Sequence, residues 1–355
     1  MNKIKKLFEG ISEEIDSVLI TSDINRRYFT GMKSSAGTVL GFRDKVYLII
    51  DFRYIEKAKA CAENCEVIEQ KDLFGQIREL LNFHNARSVA VEAMEITLHQ
   101  LHLFEKKLHE FNFIKTDELS NTIYDLRTVK SSAEIEKIRK AQEIAEHAFD
   151  EVLKFIKPGV TEREIALVLD NAMLSAGAEA LSFETIALTG KNTSMPHGVP
   201  GEDRVKNGDF VLMDFGAVYD GYHSDMTRTV CAGEPDAEMK EVYSIVLAAQ
   251  AKALKAVRSG ITGSELDRKA RSVIEEYGYG DNFGHSLGHG VGMEIHEFPN
   301  ASAKSEKVLK ENMVVTVEPG IYLPGRFGVR IEDFVVVTEN SCENLTKCPK
   351  NLIIL

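Results

Sequence analysis

The run Asp209-Phe-Val-Leu-Met-Asp214-Phe-Gly-Ala-Val-Tyr-Asp220-Gly221-Tyr-His-Ser-Asp225-Met-Thr-Arg-Thr-Val230 reads as a β-hairpin with two carboxylates set among apolar strand residues. Asp220-Gly221 is a strong two-residue turn signal, because a type I′ turn needs positive φ at both central positions. With that pair as the loop, Asp214 faces Thr227. Asp225, two residues from Thr227, shares its face and lies diagonal to Asp214. Diagonal neighbours have Cβ atoms roughly 7–8 Å apart or less, so both carboxylates can converge on one cation. A buried anion is costly unless it is paired or metal-bound. The hairpin alone leaves open a carboxylate satisfied by an arginine such as Arg228, or by turn amides.

The same device recurs near the C-terminus. Val314-Val-Thr-Val-Glu318-Pro-Gly-Ile-Tyr322 is followed by Val329-Arg330-Ile-Glu332-Asp-Phe-Val-Val-Val337, with Pro324-Gly325 to Gly328 as the turn. The two glutamates are an even number of residues apart, so an odd-length loop puts them on one face. Arg330 offers a single charge on the face of Glu332 and cannot neutralise both. Between the hairpins, Gly284-His285-Ser-Leu-Gly288-His289-Gly290-Val-Gly292-Met-Glu-Ile-His296 packs three of the ten histidines into a glycine-rich segment. Glycines on both sides of His289 let backbone approach a ligand closely. His197, in Met195-Pro-His-Gly198, is a fourth and weaker candidate.

Asp214, Asp225, His289, Glu318 and Glu332 together form a ligand set for two divalent metals. Four packed carboxylates would raise each other's pKa and protonate unless cations cancel the repulsion. Oxygen-rich donors with one nitrogen favour Mn²⁺ or a similar ion, with Co²⁺ or Zn²⁺ as alternatives. Paired metals activate water and stabilise both oxygens of a tetrahedral intermediate, which makes amide hydrolysis the natural reaction.

Composition narrows the class. A 355-residue chain, 44% hydrophobic and 28% charged, is an ordinary globular enzyme in balance and long enough for two domains. A formal charge of −12 argues against nucleic acid, which needs clustered Lys and Arg. Cys61, Cys65, Cys231, Cys342 and Cys348 are odd in number and lack paired CxxC spacing, the pattern of free thiols in a reducing compartment. Glu9, Glu13, Glu14 and Asp16 interrupt any apolar leader, and no run reaches the roughly 20 apolar residues that span a bilayer. The expectation is a cytoplasmic protein with no membrane and no nucleic-acid partner.

Residues 1–118 alternate β-rich runs (Ser17–Thr21, Val46–Ile50, Ser88–Glu92) with helical ones (Arg53–Glu63, Asp72–Phe83, Thr97–His109), as in an α/β layer. A polar stretch, Leu126 to Ser132, leads into a helix opened by Ser131 and Glu134 and stopped by Lys157-Pro158-Gly159. Thr161 to Glu164 opens a second, closed by Gly177, and a third runs from near Pro235 to Gly260. Thr262 to Glu265 opens a fourth, closed by Gly278. Strands are expected over Phe210–Val218, His223–Cys231, Met313–Tyr322 and Val329–Thr338. This second half reads as α+β, with antiparallel hairpins framed by helices.

The motifs DFG (214–216), GYHSDMTRT (221–229), GHSLGHGVG (284–292), His296-Glu297, EPG (318–320) and VRIED (329–333) resemble the pita-bread metallopeptidases, closest to their proline-directed branch of aminopeptidase P and prolidase. Residues 1–125 are similar to the creatinase/prolidase N-terminal domain, with Arg27-Tyr-Phe-Thr-Gly31 and Asp51-Phe-Arg-Tyr54 as weaker echoes, and 126–355 to the pita-bread catalytic domain. The resemblance implies a metalloprotease cleaving Xaa-Pro bonds by a metal-bridging hydroxide. Asp214 would chelate one metal, Asp225 and Glu332 both, and His289 and Glu318 the second. Glu318 would also manage the hydroxide's proton. His197 and His296 would hold the scissile carbonyl, His285 would line the substrate pocket, and Arg330 and Thr227 would support the ligands from behind. A homodimer is implied, and peptide substrates with proline at the second position.

Methionine aminopeptidases share the five ligands but lack this N-terminal domain, creatinases have lost the ligands, and non-enzymatic binding relatives lose the site. Here all five positions are filled. An Xaa-Pro aminopeptidase is the leading expectation, with an Xaa-Pro dipeptidase (prolidase) as the alternative. Some dipeptidase relatives carry Arg where Asn300 stands, and Asn supplies no charge to capture a free carboxylate.

Overall fold

In the computed structural model, which describes residues 3–355, the chain divides into one unit through Arg127 and another from Thr128 to Leu355. The first unit is built on a six-stranded sheet of β1 (Ser17–Ile20), β2 (Thr38–Gly41), β3 (Val46–Ile50), β4 (Glu66–Glu69), β5 (Ser88–Val91) and β6 (Asn112–Ile114), ordered β4-β3-β2-β1-β5-β6. β1–β2 and β2–β3 are antiparallel and the outer pairs parallel. The buried strands SVLI, VYLII and SVAV are legible in sequence, because a strand covered on both faces reads as a continuous apolar run, whereas β2, TVLG, is equally buried but has only two strongly apolar residues between Thr38 and Gly41. β4, a half-exposed EVIE at the sheet edge, carries no such signal. The helices are α1 (Lys3–Glu9), α2 (Asp23–Thr30), α3 (Phe52–Cys61), α4 (Leu73–Phe83), α5 (Leu98–Lys107) and α6 (Glu118–Thr128). α6 takes in the first residues of the stretch read as a polar connection.

In the second unit α7 (Ser132–Leu153), α8 (Glu162–Ser175) and α10 (Gly263–Glu276) open with the capping boxes at Ser131/Glu134, Thr161/Glu164 and Thr262/Glu265. Each cap is worth roughly 1 kcal/mol. α9 (Ala237–Ala256) starts from the Asp236 cap and stops short of Gly260, because Val257 is already extended and buries its side chain. α7 and α8 share one core with Val211, Met213, Phe215 and Val230, while α9 and α10 share another with Val315, Val317, Val335 and Val337. Each helix pair thus covers one set of strands.

The strands are β7 (Ala180–Leu181), β8 (Ile186–Thr189), β9 (Asp209–Phe215), β10 (Ala217–Tyr219), β11 (Tyr222–His223), β12 (Met226–Ala232), β13 (Gly288–Gly290), β14 (Glu297–Ala301), β15 (Val314–Val317), β16 (Gly320–Leu323), β17 (Phe327–Arg330), β18 (Asp333–Val337) and β19 (Cys342–Asn344). The four long strands expected from sequence are therefore each broken in two. β9 and β12 lie in a sheet ordered β12-β9-β8, while β10 and β11 continue into another with β7. β15 and β18 belong to β14-β13-β15-β18-β19, while β16 and β17 pair alone. Gly216 marks the first break: a Cβ there would sit 2.0 Å from the Ser224 carbonyl oxygen. Pro319, which has no N–H to give a ladder, marks another. Register survives the breaks. Asp220 and Gly221 both have positive φ (46° and 80°), as the turn requires, and Thr227 pairs with Asp214.

Candidate active site

The breaks in the strands are where the acidic side chains stand. Asp214 is next to last in β9, Asp225 precedes β12, Glu318 follows β15 and Glu332 precedes β18. The pairings Gly320–Arg330 and Val317–Asp333 place Glu318 and Glu332 opposite each other at the change of sheet. Neither spends its N–H on the other: Glu318 donates to Leu287 O (2.9 Å) and Glu332 to Thr227 O (3.1 Å). The second of these bonds ties the two hairpins together.

His289 enters from β13, wedged between β14 and β15. Its flanking glycines serve this packing. A Cβ at Gly288 would lie 2.1 Å from Thr316 O, and one at Gly290 2.3 Å from Phe298 O. The ring Nδ1 is 3.0 Å from Gly290 O, and with the proton held there Nε2 presents a lone pair. Nε2 stands 3.5 Å from Asp225 Oδ2 and 3.4 Å from Glu318 Oε1. Donor atoms of Asp225, His289 and Glu332 all lie within 4.8 Å of one another, close enough to share an ion.

The electrostatics call for cations. Burial, then Glu332 and Asp214, push the Asp225 carboxyl well above its ordinary range, and burial, then Glu318 and Asp214, do the same to Glu332. Glu318 is pushed up to about 7, chiefly by burial, with Arg330 opposing. Asp214 Oδ1 and Glu332 Oε1 are buried and accept no hydrogen bond among the described residues. Uncompensated lone pairs of this kind, in a cavity that also holds the His289 imidazole, fit divalent metal ions bound by carboxylate and imidazole.

The basic partner of Asp214 is Arg330, not Arg228. Arg330 Nη2 lies 2.5 Å from Asp214 Oδ2, Nη1 donates to Tyr322 Oη (2.8 Å), and Nε donates to Thr227 Oγ1 (3.0 Å). Thr227 Oγ1 in turn donates to Glu332 Oε2 (2.7 Å). Arg228 is turned to the far side of the strand, where it pairs with Asp333 at 2.8 Å. Strand alternation separates them: Thr227 faces the site, so Arg228 cannot.

Asp214, Asp225, His289, Glu318 and Glu332 line one cavity of about 610 Å³, together with His197, His285, His296, Asn300 and Arg330. His296 stands with its ring centroid 4.3 Å from that of His289. His285 is within 3.0 Å of Tyr322 Oη, and burial, reinforced by Arg330, pushes its pKa down to about 4. Thr227, wholly buried, supports the wall from behind. Tyr322, which joins His285 to Arg330, is missed by sequence reasoning. The signal lay in glycines 320 and 328, where a Cβ would stand 2.6 Å from the Tyr322 hydroxyl and 2.8 Å from its ring, respectively. All five cysteines are unpaired, and no described helix is long and apolar enough to cross a membrane.

Comparison with known proteins agrees with this architecture. Residues 3–129 match the Creatinase/Prolidase N-terminal domain, and residues 136–339 match Metallopeptidase family M24. The Xaa-Pro dipeptidase of Pyrococcus furiosus is 41% identical over 353 residues, covering 99% of each chain. The solved Xaa-Pro dipeptidase from Bacillus anthracis is 40% identical and superposes with a TM-score of 0.95, covering 99% of both chains. The X-Pro aminopeptidase from Thermotoga maritima MSB8 is 41% identical with a TM-score of 0.92, covering 96% of this chain and 98% of that one. With a creatinase/prolidase N-terminal domain preceding a pita-bread catalytic domain, the chain belongs to metallopeptidase family M24 and is a peptidase.

Proposed function

We propose that the cavity hydrolyses the Xaa-Pro bond of dipeptides with the aid of two divalent metal ions. This reverses the order expected from sequence, where the aminopeptidase came first, because the relatives named Xaa-Pro dipeptidase at about this identity include P. furiosus, Pyrococcus horikoshii and B. anthracis. The observation that carries metal dependence is the pair of orphaned carboxylate oxygens on Asp214 and Glu332, which line the cavity where Asp225, His289 and Glu332 bring donor atoms within 4.8 Å of one another.

In this reading Asp214, Asp225, His289, Glu318 and Glu332 would hold the ions. When bound, the ions supply Lewis acidity and an activated water. The chain does the rest. Glu318 Oε1 accepts from Thr316 Oγ1 at 3.0 Å, leaving Oε2 to take up a proton and return it to the leaving nitrogen. His197 and His296 hold the scissile carbonyl and stabilise its developing charge, an effect of roughly 3–4 kcal/mol for one well-placed donor. His285 lines the substrate pocket. Arg330 and Thr227 keep Asp214 and Glu332 in place. Oxygen-rich donors favour manganese, five unpaired thiols suit the cytoplasm, and a homodimer follows from the family resemblance.

A second reading, cleavage of longer Xaa-Pro-Yaa peptides, is favoured by the cavity wall. Among the described lining residues Arg330 is the only Lys or Arg, and it is committed to Asp214 and Tyr322. Arg326 pairs with Glu238, and Asn300 is neutral. A dipeptide's terminal carboxylate therefore meets no free guanidinium. Measuring kcat/KM for an Xaa-Pro dipeptide and its one-residue extension, with metal content verified, decides between them. A preference for the dipeptide of a hundredfold or more removes the longer-peptide reading, and equal or better cleavage of the extension removes the dipeptidase. Hydrolysis of neither by metal-loaded protein, or undiminished hydrolysis by metal-free protein, refutes the proposal itself.

A further inference from the structure

Lys130 is 3% exposed, in the connection between α6 and α7. A buried ammonium is costly unless it is paired. Its Nζ lies 3.2 Å from Glu297 Oε2, with both side chains within the interior at 1% and 5% exposure. Main-chain contacts anchor the lysine: its N–H donates to Asn312 O (3.0 Å), and Val129 bridges Met313.

The other end of the pair organises the turn that carries His296. Glu297 Oε1 accepts the Glu294 N–H at 3.1 Å. Gly292 N–H donates to Glu294 O (3.0 Å), and His223 N–H donates to Gly292 O (2.8 Å). A Cβ on Gly292 would stand 2.3 Å from Glu297 Oε2, so the carboxylate reaches its place only because that residue is glycine. Glu297 pairs in register with Gly290, the residue after His289. The chain from Gly292 to His296 is thus clamped at one end by β11 and at the other by a carboxylate whose position Lys130 sets. His296 immediately precedes that carboxylate and lines the cavity.

We infer that Lys130 and Glu297 are positioning residues for His296, their buried ion pair fixing the turn that aims its imidazole into the cavity. The inference deepens the proposed function and rests on His296 acting on the scissile carbonyl. A displacement of about 1 Å at a reacting group can cost about a hundredfold in rate. Lys130→Met and Glu297→Gln therefore lower kcat roughly tenfold to a hundredfold, with KM and bound-metal stoichiometry little changed. Glu297→Gln keeps the shape and the acceptor for Glu294 N–H, and it is the decisive variant if Lys130→Met does not accumulate folded protein.

Two readouts separate positioning from mere stability. In a His296→Ala background, loss of Lys130 or of the Glu297 charge has no aim left to spoil, so the fold-loss in kcat shrinks to about one. With ring-labelled histidine, the His296 signal, identified by its absence in His296→Ala, shifts in Lys130→Met and Glu297→Gln while exposed His147 stays in place. Equal fold-losses in both backgrounds, or an unmoved His296 signal in either folded variant, overturn the inference. If wild-type protein cleaves no Xaa-Pro peptide, the functional reading fails, and the ring signal still decides whether the pair positions His296.

Discussion

Replacing Arg228 with Met tests how the chain holds Glu332 in place. Arg228 is 1% exposed and uses its whole fork. Nε donates to Pro349 O (3.0 Å), Nη1 to Thr227 O (3.0 Å) and to Glu332 O, and Nη2 to Cys348 O (2.9 Å) and Asp333 Oδ1 (2.8 Å). Burial alone would raise Asp333, but Arg228 and then Lys350 hold it below the usual carboxylate range. The substitution strands a buried carboxylate and several carbonyls, and breaking a buried pair from one side costs about 3–5 kcal/mol. Lys350, still 2.7 Å from Asp333, keeps the loss toward the lower end. Taking about 3–4 kcal/mol at about 2–4 °C per kcal/mol for a unit of this size, the calorimetric transition of the second unit falls by roughly 6–16 °C. Arg228→Lys keeps the charge but cannot span the fork's acceptors, so it recovers less than half of the drop. Because Nη1 grips the Glu332 carbonyl, bound-metal stoichiometry falls as well. A transition lowered by only a degree or two, with metal retained, would show that the Arg228 cluster is not what presents Glu332.

Asp225→Asn and Glu332→Gln are expected to be the most damaging ligand changes, emptying both metal positions by elemental analysis, whereas His296→Ala keeps the metal and loses rate; loss of metal in His296→Ala would make that residue a ligand. His285 supplies a pH signature. Its pKa is pushed down from 6.5 to about 4, first by burial and then by Arg330. Between those values the unfolded chain binds a proton that the folded one does not, so stability falls as pH drops through the window, by up to about 3 kcal/mol. In urea titrations at pH 7.5 and pH 4.5, His285→Asn should show a correspondingly smaller acid loss than wild type, and identical losses would contradict the burial argument.

Much of this protein could be read from local sequence because the rules involved act over a few residues. A capping box needs Ser131 and Glu134, a type I′ turn needs Asp220 and Gly221, and their φ limits fix the pairing of Asp214 with Thr227. The same locality made Asp225, His289, Glu318 and Glu332 visible, since charged or imidazole groups within apolar or glycine-rich runs demand an explanation. Tertiary structure decided the rest. Strand alternation after the turn excludes Arg228, but that Arg330 is the partner of Asp214 depends on a strand more than a hundred residues away. The break at Gly216, which turns a continuous strand into a site wall, follows from the Ser224 carbonyl that packs against it. Lys130 read as an ordinary residue of a polar connection. Its role arises only when Glu297, 167 positions along the chain, is buried against it, where desolvation makes the pairing obligatory.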